Sequence, residues 1–345
     1  MNILFLTEGT DAPASRYRCE QFIPHLERAG FSCDLAGAYG TLYNQVFETP
    51  IAPLYKLATR AKRGAQTVMV GDYDLVFAQR LALPHTALPE IAASLRRPVI
   101  LDFDDAFFLD PDGERNPIRE RAFRVAVDRA SQVIAGNRYL ADWADAEDKT
   151  EVIPTVIDTG TYRPPPVASL DPPRVIGWMG TASNFVSLRP VLPAVEAVLE
   201  ARDDTIFRLV SNAKLPELED HPQVEQIAWT ARGELRWLQS FDVGLMPLLD
   251  NPSTRGKCGF KMIQYMAVGV PVVASPVGAN TEILEGSGAG YFAEGEGWSD
   301  KIEELIENAR KRRAMGREGR EYVVENYSVE SVIERYIELF ETVID

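Results

Sequence analysis

The chain has 345 residues, 46% of them apolar and 25% charged, with a formal net charge of −15. That length exceeds one ordinary core and points to two domains, while the negative charge argues against bulk nucleic-acid binding, which needs a basic footprint. No apolar run is long enough to span a bilayer, and Cys19, Cys33 and Cys258 lack metal-ligand spacing and fit reduced thiols in a cytoplasm.

The opening "MNILFLTEGT" has no basic leader and reads as a first strand, not a signal peptide. "SRYRCEQFIPHLERAG" follows as a helix, with Phe22, Ile23 and Leu26 on one face and Gly30 as its stop. "YDLVFAQ", "RPVILDFDDA", "SQVIAGN" and "EVIPTVID" are further strands. Short apolar strands alternating with helices predict parallel βα units. In such sheets ligands bind beyond the carboxyl ends of the strands. Thr7 to Arg18, Gln79 and Arg80, Asp102 to Asp105, and Asn137 are therefore expected on one edge. The proline-rich "DTGTYRPPPVASLDPP" at 158–173 breaks the pattern and reads as a linker. The alternation then restarts: "RVIGWMG", "FRLVSN", "VEQIAW", "DVGLMPL", "PVVAS" and "GYFAE" are strands. "LRPVLPAVEAVLEAR", "RGELRWLQSF" and "FKMIQYMAVG" are helices between them, and the tail from Ser299 is helical. The expected fold class is α/β, two doubly wound parallel-sheet domains facing across a cleft, a favoured place for a ligand.

"FKMIQYMAVGVPVVASPVGANTE" resembles the donor-binding segment of family-4, group 1, retaining glycosyltransferases, which have the GT-B fold. "NILFLTEGTDAPASRYRCEQFIPHLERAGF", "VIPTVIDTGTYRP", "RVIGWMGTASN" and "GREGREYVVENYSVESVIERYIELF" resemble other segments of that family in the same order. The resemblance implies an acceptor domain at 1–160, a linker at 161–173, a nucleotide-sugar domain at 174–328, and a closing helix at 329–345 that packs back on the first domain. It also marks departures. Two glutamates common in the family fall on Gly256 and Gln264, a common arginine and lysine are replaced by "GTASN", and a common histidine falls on Asp104. The chain reads as a divergent branch.

A diphosphate leaving group gains negative charge as the glycosidic bond breaks, so cations and N–H donors aimed at it accelerate transfer. "STRGKCGFK" supplies Arg255, Lys257 and Lys261 near a helix start. Gly180, Thr181 and Ser183 add loop donors. Gln264 falls where the family's ribose-binding glutamate lies and keeps an acceptor, so Gln264→Glu is expected to be tolerated. Gly278 lets the backbone approach the donor, with Asn280 beside it, and Glu282 either orients that loop or caps a helix. Ser211 and Asn212 are candidate base contacts.

Asp104 and Asp105 are the candidate catalytic carboxylates, with Lys261 as the catalytic cation. "DFDDA" alone also suits a metal–nucleotide site, but by resemblance the two-domain fold needs no metal, and none is expected. Ser15, Arg16 and Arg18 suit an anionic acceptor or donor phosphates; the alternative is an ion pair with Glu20. The basic stretch 54–66 suits either peripheral contact with an anionic membrane or a solvated helix face. His25 and His85 pair with no nucleophile. The expected partners are a UDP- or GDP-linked sugar donor and a glycan or lipid-linked acceptor, with no nucleic acid and no cofactor. The expected location is cytoplasmic, and the expected activity is retaining glycosyl transfer in polysaccharide, glycolipid or glycoconjugate synthesis. A sugar-nucleotide epimerase and a catalytically dead nucleotide-binding partner remain as alternatives. The absence of a G-x-G-x-x-G after strand one argues against a dinucleotide dehydrogenase.

Overall fold

The structure is a computed structural model. It describes residues 1–345 except 10–11, 41–48, 51, 82, 84, 167–172 and 345. Part of the first loop and part of the proline-rich stretch at 158–173 therefore lie outside the described residues. The chain forms two compact units. The first contains Met1–Val156, Asn251–Cys258 and Val329–Asp345; the second contains Ile157–Asp250 and Gly259–Ser328.

The first unit holds a six-stranded sheet built from β1 (Asn2–Gly9), β2 (Ser32–Tyr39), β3 (Leu75–Gln79), β4 (Val99–Phe103), β5 (Gln132–Ala135) and β6 (Thr150–Val152). Its order is β2-β1-β3-β4-β5-β6, and every pairing is parallel. β3 and β4 are buried at every position, as their largely apolar runs require when helices cover both faces, with Gln79 and Asp102 as buried polar exceptions. One face packs an aromatic cluster in which Phe5 and Phe77 meet Phe340, with the Tyr336 ring tilted against Phe22. Tyr336 and Phe340 come from the last helix, Ile333–Ile344, whose apolar residues recur every three or four positions. Arg335 fixes its outer side by donating to Glu151 and to the Val152 carbonyl.

The second unit holds β7 (Arg174–Met179), β8 (Thr205–Ser211), β9 (Val224–Ala228), β10 (Val243–Met246), β11 (Val272–Ala274) and β12 (Gly290–Phe292). The order is β12-β11-β10-β7-β8-β9, again wholly parallel. The chain runs outward from β7 to β9, then crosses back to β10 and runs outward on the other side. The carboxyl ends of β7 and β10 thus flank a topological switch point, where doubly wound sheets bind ligands. The α/β, doubly wound expectation holds for both units.

The segment Asn251–Cys258 is the main surprise in this organisation. The sequence reading places it with the nucleotide-sugar domain, but it packs in the first unit. Asn251 caps the turn Pro252–Arg255 through a reciprocal bond with Thr254. Asn137 then donates its amide to the carbonyls of Gly256 and Lys257, at 3.1 and 3.3 Å. Cys258 joins the core around Phe103, Phe108 and Phe123, and its thiol donates to the Asp104 carbonyl at 3.2 Å. Burial pushes that thiol up to about 12, so it is a packing group and not a nucleophile.

Candidate functional site

In the first unit, charged residues gather at the carboxyl ends of β1, β3 and β4, beside that sheet's own switch point between β1 and β3. Arg80 follows β3 with φ of 60°, a left-handed backbone uncommon outside glycine. Its guanidinium faces Asp104 at 3.2 Å, Asp105 at 3.6 Å and Glu8 at 3.7 Å. Burial lowers the Arg80 pKa, but these three carboxylates outweigh it and hold the side chain charged. The aspartates of "DFDDA" thus carry a built-in cation. Among the described residues, no group of three His, Cys, Asp or Glu side chains is placed to hold a metal ion. Asp105 also accepts from the Ala106 N–H.

Arg18 and Ser15 are not presented to any ligand, and the expected acceptor role is corrected for both. Ser15 is fully buried and accepts from the Gly9 N–H. Arg18 lies in the Pro13–Arg18 helix at 1% exposure. It makes a two-pronged bond to the equally buried Asp102 and donates to the Ile153 carbonyl. Burial acts against charge on both partners. Asp102 outweighs it at Arg18, whose pKa is raised; at Asp102 burial wins and pushes the carboxyl up to about 6. Arg16 alone of the three stays half-buried, stacked over the Tyr17 ring.

Gly256 explains one departure from the family pattern. It is buried, and a Cβ there would lie 2.7 Å from Ala106 Cβ and 3.1 Å from Leu140 Cδ2. No glutamate fits. Arg255 on the same segment is exposed and Lys257 half-buried. Both belong to the first unit, apart from Lys261 and Gln264 in the second.

In the second unit the helix Phe260–Ala267 starts from Gly259, itself left-handed at φ 64°. Lys261, in its first turn, lays its stem across the end of β7. A Cβ on Gly180 would lie only 2.6 Å from Lys261 Cε, so glycine is what makes room for the lysine. The ammonium sits 6.0 Å from the Trp178 ring centroid. Beyond Gly180 the loop exposes Thr181 and Ser183, whose hydroxyls share a bond of 2.9 Å, and Asn212 accepts from the Ala182 N–H at 2.8 Å. A half-buried cation, two hydroxyls and loop amides thus share the β7 edge at the switch point.

Gln264 behaves differently from expectation. It is 5% exposed and donates Nε2 to Glu234 Oε1 at 3.4 Å. Glu234, at 4% exposure, also accepts from Tyr162 and, at 2.8 Å, from Trp229 Nε1. Sequence reasoning missed this carboxylate, which sits thirty positions before its glutamine. Gln264→Glu would set two buried carboxylates face to face, so the expected tolerance is corrected. One of them must hold a proton, because two buried carboxylates in contact each disfavour the other's charge. A raised folded pKa gives stability at low pH that is lost as pH rises through it. Thermal unfolding of Gln264→Glu should therefore approach the parent near pH 4 and fall below it at pH 7; a constant gap would refute the pairing.

Asn280 is fully buried, and its amide N–H donates to the Ser275 carbonyl at 3.2 Å, bracing the loop after β11. Gly278 adopts φ 57° and ψ −136°, conformations that side chains avoid. Glu282 is exposed in the first turn of the Ala279–Ser287 helix, where its charge favours the helix dipole.

Residues 173–308 match the family model of glycosyl transferases group 1. That match takes in β7, the Gly180 loop, Lys261 and Gln264. Anabaena HepE, solved with UDP and glucose, is 18% identical and shares the fold over 99% of this chain and 100% of its own, with a TM-score of 0.72. Spore coat protein SA of Bacillus subtilis is 19% identical over 69% of this chain and 73% of that protein. The N-acetyl-α-D-glucosaminyl L-malate synthase of Bacillus anthracis is 30% identical over 87 residues, 24% of this chain and 23% of that protein. The fold is GT-B, as the group 1 resemblance implies.

Proposed function

We propose that this chain is a retaining glycosyltransferase that moves a sugar from a nucleoside diphosphate to an acceptor hydroxyl. The observation that carries the reading is Lys261 held over Gly180 at the switch point, inside the segment that matches the group 1 model. The C1–oxygen bond to the diphosphate breaks and a C1–oxygen bond to the acceptor forms on the same face of the sugar. The acceptor proton passes to a phosphate oxygen of the departing diphosphate. Lys261 and the 180–183 loop meet the charge that grows on that diphosphate. Glu234 and Gln264 form a buried pair that positions the Phe260–Ala267 helix. Asp104 and Asp105, poised by Arg80, serve the acceptor hydroxyl or the transferred sugar. HepE binds UDP, and uridine is the first base to test here, with guanosine second. The acceptor class is a glycan or lipid-linked sugar at the cytoplasmic side of a membrane.

The test incubates the full chain with UDP- and GDP-sugars, with and without chelator, and follows nucleotide release and anomeric configuration. Slow donor hydrolysis that persists in chelator, releasing the α-anomer of the free sugar from an α-linked donor ahead of mutarotation, is expected. Loss of all activity in chelator, restored by magnesium or manganese, would promote Asp104 and Asp105 to metal ligands and overturn metal independence. Interconversion of the donor sugar would mean an epimerase. Binding without turnover would mean a nucleotide-binding partner protein, the reading that the missing glutamate at Gly256 favours.

A further inference from the structure

The helix Ala52–Val68 is mounted inside out. Its buried positions are Thr59, Arg63 and Thr67. Arg63, fully buried, donates to the carbonyls of Thr7 and Ala36 and to Gln66. On the opposite side, Leu54, Leu57, Ala58, Ala61, Ala65 and Val68 recur at three- and four-residue spacing, and all are exposed. Leu54 is 72%, Leu57 62% and Val68 67% exposed. An ordinary surface helix turns such a stripe inward; here the polar stripe faces the core and the apolar one faces out. The stripe continues into Met69, 56% exposed, and Leu95, 74% exposed. Arg96, next to Leu95, donates to the Val68 carbonyl at 3.0 Å and ties the two ends together.

The charges on this face are of one sign. Residues 52–68 contain no Asp or Glu in a chain of net charge −15. Arg60 and Lys62 are exposed on the two flanks of the stripe, with Arg96 at its end. We propose that this face docks on an anionic phospholipid bilayer, its apolar stripe at the acyl boundary and its cations among the headgroups. A second copy of the same face would bring cations against cations, which disfavours a dimer. The proposal rests on the surface of the first unit alone and not on the transfer reading. It would hold the enzyme where lipid-linked acceptors are found.

The test sediments the full chain with vesicles of phosphatidylcholine alone, or with about 30% phosphatidylglycerol, at low salt and at about 0.5 M salt. Binding to the anionic vesicles only, weakened by salt, is expected. Arg60→Ala and Lys62→Ala should each weaken partitioning roughly fivefold. Leu57→Glu combined with Val68→Glu should abolish it, while thermal unfolding and transfer to a soluble acceptor stay at parent values. No sedimentation at low salt, equal binding to neutral vesicles, or undiminished binding by the double variant would overturn the proposal. So would a concentration-dependent dimer that the double variant dissolves without any vesicle binding. None of these outcomes bears on sugar transfer, which the soluble-acceptor assay reads separately.

Discussion

Lys261→Ala is expected to lower turnover on the order of a hundredfold while weakening donor affinity far less. The lysine stem is held against Gly180 and the Trp178 ring, so its ammonium is fixed before any ligand arrives. A fixed charge gains most from the state in which the opposing charge is largest. That state is the transition state, where the diphosphate takes up the electrons of the breaking bond. The ground-state donor already carries phosphate charge, so some affinity is lost too, but the ratio must favour turnover. Steady-state kinetics beside nucleotide titration separates the two. Equal losses in both would make Lys261 a uniform binding group; no loss in either would reduce the Phe260–Ala267 helix to packing.

Arg18→Ala is expected to be the most destabilising change, by about 3–5 kcal/mol in urea unfolding. Arg18 and Asp102 are both fully buried, and deleting one leaves the other without its partner. Replacing the pair by apolar residues, Arg18→Met with Asp102→Leu, should recover much of the loss, because the pair itself paid a desolvation cost. The pH dependence has a definite sign. Asp102 sits at about 6 in the folded chain, above its unfolded value. Its contribution is therefore present at low pH and lost as pH rises through 6. Without Arg18 the carboxyl rises further, so the deficit of Arg18→Ala should grow from pH 4 to pH 7. A deficit that shrinks over that range would show that Asp102 is not the group left stranded.

The fold was largely legible because parallel strands buried on both faces are mostly apolar, as in "LVFAQ" and "VILDF". β2 escaped notice because it is an edge strand of Ala, Gly and Ser, only half-buried, with no clear alternation. The unit to which Asn251–Cys258 belongs was not legible either. That depends on an amide from Asn137, more than a hundred positions earlier. The same kind of distance hid the fate of Arg18, whose partner lies on β4, and of Gln264, whose partner lies on another helix. Sequence periodicity shows which face a residue is on, not which distant charge meets it there. Lys261 was legible as a cation for the diphosphate and Gly180 as part of a donor loop; that the lysine packs over that glycine was not.

Hydrogen exchange on the full chain with UDP and with GDP tests the central claim most directly. The account predicts that the preferred nucleotide slows exchange at 180–184, 259–264 and 275–280, all in the second unit. Protection confined to the strand ends of the first unit, around Arg80 and Asp104, with none at the Gly180 loop, would contradict it.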